Sequence, residues 1–405
     1  MSHPISVALV GVTGYGSNHA RRFLELQAQG AVRLTAFVEP APERNQGIVN
    51  QLREAGARHY PDLAGLPSTE PVEAAVIATP IHLHRTHCLA ALSRGWHVFV
   101  EKPAAATIQD LHEMVAASRR AARIVAVNFQ RTAKPGFRTL LGLLRAGRIG
   151  TVRSVTGWGI WQRDDVYYSR SRWVGRLRVG DHWVLDGTVM NSLAHLINNA
   201  LIAASSDLGR PAPAARVTAE LYHANPIEAE DTACLRITTA EGKDVLIFTT
   251  LAGPDGMVPG LRVTGTAGMA EWDFADRLRI AGPDGTWVEI PAPAPGPDHA
   301  ENFLAAVRGE PVALYSPLAD SIPHLTVANG AFLSAWPPAA VPEAHKRQEP
   351  TGQSTLAWQI PGIAEWIGRA VDEAKLFSEL GVPWASAGRP VDLRSLHEFA
   401  PEQEG

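Results

Sequence analysis

Short apolar runs alternate with amphipathic stretches through the first third of the chain. Residues 5–10, 33–38, 74–78, 97–100 and 124–127 are compact runs rich in Val, Ile, Ala and Phe, the composition of buried strands. Between them, apolar positions recur at helical spacing around residues 18–29, up to 90–92, and over 111–120. Strands separated by helices predict βαβ units, and hence a doubly wound parallel sheet, a Rossmann-type α/β domain over residues 1–128.

The periodicity changes after Asn128. A helix is expected near 137–146. Residues 151–160 then alternate apolar and polar in the manner of a strand with one exposed face. Further strands are expected at 217–223, 232–239, 243–251, 260–265, 268–273, 277–280 and 287–290. They are joined by turns such as Gly253-Pro254-Asp255-Gly256 and Gly282-Pro283-Asp284-Gly285. That is the pattern of an open, mostly antiparallel sheet. Residues 291–297 form a Pro/Ala linker, and helices are expected at 299–308 and 318–334. The expected second domain is α+β, spans 129–336, and would bind substrate and support oligomerisation. Residues 337–405 are expected as a partly helical extension, loop-like over 337–355 and helical over 360–380.

Composition narrows the functional class. The chain has 405 residues, 45% hydrophobic and 19% charged, which is ordinary for a globular protein and too long for a single core. Its formal net charge of −4 argues against nucleic acid as the main partner, since neutralising phosphates needs a basic face. Cys88 and Cys234 stand far apart in apolar contexts, which fits a reducing compartment better than a disulfide framework. No signal-like segment opens the chain and no apolar run is long enough for a membrane span, so a cytoplasmic protein without membrane contact is expected.

The turn after the first strand carries the first candidate chemistry. It reads Gly11-Val12-Thr13-Gly14-Tyr15-Gly16, close to a dinucleotide fingerprint but with Thr13 at its middle position. Such a turn lets backbone approach a pyrophosphate at a helix N-terminus. Glu39 ends the second strand, where an acid can accept hydrogen bonds from ribose hydroxyls and repel a 2′-phosphate; NAD is therefore expected in preference to NADP. Lys102 follows the fourth strand, at the carboxyl end where open α/β sheets bind ligands. It can stabilise a developing alkoxide. His82, His84 and His87 cluster along one segment, but no carboxylate spacing completes a site, and no metal is expected. A stretch containing Trp161, Arg163, Asp164, Tyr167, Tyr168, Arg172, Trp173, His182 and Trp183 offers aromatic faces with polar rims. That suits a sugar ring, and it equally suits core or interface packing.

Gly11–Gly16, Ala78-Thr79-Pro80, Glu101-Lys102-Pro103, Gln130-Arg131, Gly147-Arg148-Ile149-Gly150, residues 186–199 and Glu301-Asn302-Phe303 together resemble the Gfo/Idh/MocA oxidoreductase family, over about residues 5–335. The resemblance implies a bound nicotinamide dinucleotide and a sugar, cyclitol or related polyol as substrate. It also implies a homo-oligomer, dimer or tetramer, assembled through the second sheet. It places Gly11, Thr13, Gly14, Tyr15, Gly16, Glu39, Thr79, Pro80, His84, Glu101, Lys102, Gln130 and Arg131 at the cofactor. Lys102, Trp161, Arg163, Tyr167, Arg172, Trp173, Asp186, Asn191 and His195 fall at the substrate. Lys102 maps to the residue that contacts the reacting hydroxyl, and His195 to the proton-transfer residue, a role suited to imidazole. Asn191 is a departure, because the family carries Asp there. Asn can hold a hydroxyl but cannot be a base; 191 and 195 are expected one turn apart on a helix face, with Asp186 the candidate for the missing carboxylate. The expected activity is an NAD-dependent oxidoreductase with Lys102, His195 and Asn191 at the reaction. The alternatives are a redox-neutral elimination or isomerisation that recycles NAD, and a non-catalytic dinucleotide and sugar sensor.

Overall fold

In a computed structural model the chain forms two compact units, each with its own sheet. The structure describes residues 3–254, 256–351 and 354–401. Asp255 of the expected turn, two residues of the expected loop and the last four residues of the extension lie outside the described residues.

The first unit takes residues 1–105, 110–129 and 297–319. Its elements run β1 (Ile5–Val10), α1 (Gly16–Ala28), β2 (Val32–Val38), α2 (Gln46–Glu54), β3 (Arg58–Tyr60), β4 (Ala74–Ile77), α3 (His84–Ser93), β5 (His97–Val100), α4 (Ile108–Ala121) and β6 (Val125–Val127). The six strands pair in the order β3-β2-β1-β4-β5-β6, every pairing parallel. Strand order turns back beside β1, which sets the switch point at the turn carrying Gly11–Gly16. Six strands stand where the pattern predicts five. The sixth, β3, is a three-residue Arg-His-Tyr edge strand without an apolar run, paired only to β2. Val7, Leu9, Phe23, Phe37, Leu52 and Phe99 are buried in one core.

The second unit takes residues 106–109, 130–296 and 320–405. After α5 (Pro135–Arg145) come β7 (Val152–Ile160), the short α6 (Asp165–Ser169), the β8–β9 hairpin (Arg178–Val179, His182–Trp183) and α7 (Ala194–Ala204). β10 (Ala214–His223), β11 (Thr232–Thr239), β12 (Asp244–Thr250), β13 (Gly260–Gly265), β14 (Met269–Asp273), β15 (Leu278–Ala281) and β16 (Trp287–Ile290) follow. They build a mixed, mostly antiparallel sheet ordered β16-β15-β14-β13-β7-β12-β11-β10, in which β7 pairs parallel with β12. The whole of α7 is buried, its polar His195, Asn198 and Asn199 included.

Residues 297–319 fold with the first unit. There α8 (His299–Val307) opens on a capping box between Asp298 and Glu301 and buries Ala300, Phe303 and Leu304 in the first core. α9 (Ile322–Ser334) lies in the second unit. The extension is not an appendage. Ala339–Ala340 (β17) and Val391–Asp392 add edge pairings to β10. Arg347–Pro350 (β18) pairs with Leu356–Gln359 (β19) inside the segment expected as loop. α10 (Ile363–Glu373) buries Ile363, Ile367 and Ala370 beside Phe248, Cys234 and Phe377. This helix ends well before residue 380, because Ala374 adopts a left-handed conformation with φ of 52°.

Candidate functional site

In the first unit the turn between β1 and α1 is a tight backbone cradle. Gly11 has φ of +83°, and a Cβ at Gly16 would lie 2.2 Å from the Gly11 carbonyl oxygen, so only glycine fits there. Gly14 has φ of +54° and faces open space. Thr13, the departure from the fingerprint, donates its hydroxyl to Glu39 Oε2 at 3.0 Å. The Val12 and Thr13 amides donate to the same oxygen at 3.1 and 3.2 Å, and Ala41 N donates to Oε1. Glu39 is 4% exposed. It clamps the turn to the end of β2, a job that position in sequence did not reveal. This cradle, at the carboxyl edge of a parallel sheet, fits a dinucleotide pyrophosphate: Gly11–Gly16 would hold it, with Glu39 fixing the turn.

Glu101 ties that turn to the Lys102 loop. Its Oε1 accepts from His19 Nε2 at 2.6 Å and from Asn128 Nδ2 at 2.7 Å, and its Oε2 accepts from Lys102 N at 3.1 Å. Burial pushes the carboxyl pKa up, but the His19 contact, the Lys102 charge and the Asn128 hydrogen bond outweigh it and hold the group below its ordinary range. His19 lies on α1, so the helix that closes the turn and the loop that carries half-buried Lys102 share one carboxylate.

Thr79 and Pro80 follow β4 on the same edge. His84, 1% exposed, stands between two carbonyls: Nε2 is 2.7 Å from Thr79 O, and Nδ1 is 2.8 Å from Pro103 O. It straps the Thr-Pro and Glu-Lys-Pro loops together. Burial lowers its pKa, and the carbonyls oppose that. A neutral ring donates to one carbonyl; both are satisfied only by the cation. His87 Nδ1 lies 3.1 Å from the Thr79 hydroxyl, and burial lowers its pKa to about 4. His84 and His87 thus act as loop ties. Gln130 and Arg131 belong to the second unit, where Arg131 donates to Phe274 O and stacks on the Phe274 ring at 4.5 Å.

In the second unit, Asn191 is not one turn before His195 on a regular helix. It sits in a π-helical turn, Thr188–Ser192, and Leu193 breaks the path into α7 with φ of −114° and ψ of 17°. Five residues in a wide turn leave the side-chain spacing to be set by packing rather than by helical period. Asp186, 5% exposed, receives Asn191 Nδ2 on Oδ1 at 2.6 Å and Gly175 N on Oδ2 at 2.8 Å. Asp186 therefore orients the Asn191 amide. His195 opens α7 and is 5% exposed.

One residue of this site was missed in the sequence: Glu230. It is fully buried, its Oε1 accepts from Val189 N at 2.9 Å, and a Cβ at Gly187 would lie 2.1 Å from its carboxyl. Burial, reinforced by Asp186 and Asp231, raises its pKa to about 8. The available signal was an acidic pair, Glu230-Asp231, directly before an apolar strand.

The aromatic segment packs beside the same turn. Tyr167 OH lies 3.2 Å from Ser192 Oγ, Arg163 stacks on Trp161 and Tyr167, and Trp173 lies near Arg170, whereas Arg172 is exposed. A separate cavity lined by Glu220, Tyr222, Trp336 and Arg389 includes none of Asp186, Asn191 or His195. Its Glu220 carboxyl is engaged by Ser378 and Tyr222.

Among the described residues no helix is long and apolar enough to cross a membrane. Two family models match the chain. One, described as an oxidoreductase family with an NAD-binding Rossmann fold, covers residues 5–129, and the other, a GFO/IDH/MocA C-terminal domain, covers residues 137–271. The chain is similar to inositol 2-dehydrogenase 3 of Saccharopolyspora erythraea, 32% identical over 36% of this chain and 42% of that one. It is also similar to 2,7-anhydro-N-acetylneuraminate hydratase of Mediterraneibacter gnavus, 39% identical over 27% of this chain and 28% of the other. Both matches span less than half of the relative's length. Among solved structures, the fold is shared with a levoglucosan dehydrogenase in complex with NADH, with TM-score 0.68 and 19% identity over 82% of this chain and 97% of that one. It is also shared with the WlbA dehydrogenase of Chromobacterium violaceum in complex with NADH and UDP-GlcNAcA, with TM-score 0.69 and 22% identity over 83% and 94%.

Proposed function

Because this chain belongs to the Gfo/Idh/MocA oxidoreductase family, whose Rossmann fold binds NAD, we propose that it oxidises a hydroxyl, or reduces the matching ketone, on a sugar, cyclitol or related polyol. The observation that carries this reading is the Glu101 network, which couples the dinucleotide turn through His19 to the loop bearing Lys102. The Gly11–Gly16 turn would hold NAD, which would supply the hydride acceptor or donor for the substrate carbon. Lys102 donates a hydrogen bond to the substrate oxygen and stabilises negative charge as it develops there. His195 takes the hydroxyl proton in oxidation and returns it in reduction. Asn191, oriented by Asp186, holds a neighbouring hydroxyl and keeps the reacting carbon in register. The names of the similar proteins, an inositol dehydrogenase and a levoglucosan dehydrogenase, support a polyol or sugar substrate.

A second reading is redox-neutral: transient oxidation, elimination or addition, and return of the hydride. Two observations favour it, the amide at position 191 and the similarity to a hydratase. The test is the purified chain with NAD⁺ and a panel of sugars, cyclitols and glycosides, followed for NADH absorbance and product mass together. Product with matching NADH supports the net dehydrogenase. Product without NADH supports the redox-neutral cycle, and absence of both across the panel favours the non-catalytic sensor and widens the substrate search.

A further inference from the structure

Among the described residues no carboxylate forms an ion pair with the arginines around Tyr167. The guanidinium carbons of Arg163 and Arg170 lie 4.7 and 4.0 Å from the centre of the same Tyr167 ring. Arg163 also stacks on Trp161 at 4.4 Å, and its Nε is buried with no hydrogen-bond partner among the described residues. Neither arginine makes an ion pair among the described residues, whereas nearby Arg176 reaches Glu228 at 2.5 Å. The local acids are committed elsewhere: Asp164 caps α6 through Tyr167 N, and Asp165 accepts from Val166 N and Leu356 N.

Two like charges around one aromatic ring, without a counter-ion, repel each other. Arg163 gives Nη1 to Gln162 O at 3.2 Å and Arg170 is exposed; the remaining N–H groups of the two stacked guanidiniums match the oxygens of a carboxylate or phosphate. The Tyr167 hydroxyl, 3.2 Å from Ser192 Oγ, fixes this pair beside the turn that carries Asn191. We propose that the substrate of this site bears an oxyanionic group, a carboxylate or a phosphate, bound by Arg163 and Arg170. The inference rests on the substrate reading above and narrows it: a sugar acid or sugar phosphate is preferred over its neutral parent.

Binding can be tested without turnover, because Trp161 and Trp173 lie against these arginines and report by fluorescence. The full chain is titrated with D-glucose, D-glucuronate and D-glucose 6-phosphate, with glucitol and gluconate, and with inositol and inositol phosphate. The charged member of a series is expected to bind at least about tenfold more tightly than its neutral member, the worth of a charge-assisted hydrogen bond. The double variant R163Q/R170Q should lose that preference while keeping its circular dichroism and melting temperature. A preference confined to the uronate and aldonate assigns a carboxylate, and one confined to the phosphates assigns a phosphate. Equal affinity for neutral and charged members, no binding of any, or an unchanged preference in R163Q/R170Q overturns the proposal. None of these outcomes depends on NADH formation, so the dehydrogenase reading stands or falls separately.

Discussion

At the residue scale, three side chains carry separable tests. In the proposed mechanism Lys102 acts on the substrate oxygen, so Lys102→Ala should abolish turnover while NAD binding, measured by NADH fluorescence, survives; a variant with full activity would remove Lys102 from the chemistry. Glu230 holds a proton in the folded state up to about pH 8, while an unfolded carboxyl releases it near 4.5. The folded state therefore binds more protons across that window, and stability falls as pH rises through it. Glu230→Gln mimics the protonated acid, so its melting temperature should gain on the wild type as pH rises from about 5 to about 8; parallel curves would show that Glu230 is not protonated in the fold. Glu101 runs the other way. Its folded pKa is depressed, so its stabilisation is present above the ordinary 4.5 and lost as pH falls through the lower folded value. Glu101→Ala leaves His19 and Asn128 buried without their acceptor and should cost about 3–5 kcal/mol in denaturant melts at neutral pH. A cost under about 1 kcal/mol would mean the network is not holding the loops.

At the scale of elements, the nucleotide turn and the π-helical turn obey different rules. The first is local. Gly16→Ala would drive a Cβ into the Gly11 carbonyl, whereas Gly14→Ala meets no atom and has only a left-handed backbone to bear, about 1–2 kcal/mol. NADH titration should therefore show Gly16→Ala weakening binding by at least about tenfold and Gly14→Ala by less; the reverse order would contradict the cradle. Such turn chemistry was legible because glycine, strand and helix sit within a dozen residues. Position 191 was not legible in the same way. Helical spacing places it one turn before His195, but the wide turn at Thr188–Ser192 is held from outside by Val189 N on Glu230, by His324 on Val189 O and by Thr249 on Thr188. Those partners lie up to 135 residues away in sequence.

At the scale of the whole molecule, the extension is part of the second core. Phe377 and Ile367 are fully buried beside Phe248, and Leu393 is buried beneath β10. A chain ending at residue 336 would expose that apolar face and should aggregate or lose near-ultraviolet circular dichroism, and Phe377→Ala in the full chain should cost about 3–5 kcal/mol. A monodisperse truncated protein with native dichroism would make the extension dispensable. The family resemblance had ended near residue 335, so the sequence offered no motif for this role.

What the sequence determined by itself was everything set by short range: the alternation of strand and helix in the first 128 residues, the antiparallel strands of the second sheet, and the glycine turn. Periodicity and turn chemistry act over a few residues, so they are written locally. Tertiary structure alone decided the rest: Glu39 as a clamp on the turn, Glu101 as the tie between α1 and the Lys102 loop, Asp186 behind Asn191, the return of residues 297–319 to the first unit, and the unanswered arginines at Tyr167. Each depends on which polar group meets which once the chain is buried, and a carboxylate's partner is fixed by desolvation and geometry rather than by its neighbours in sequence.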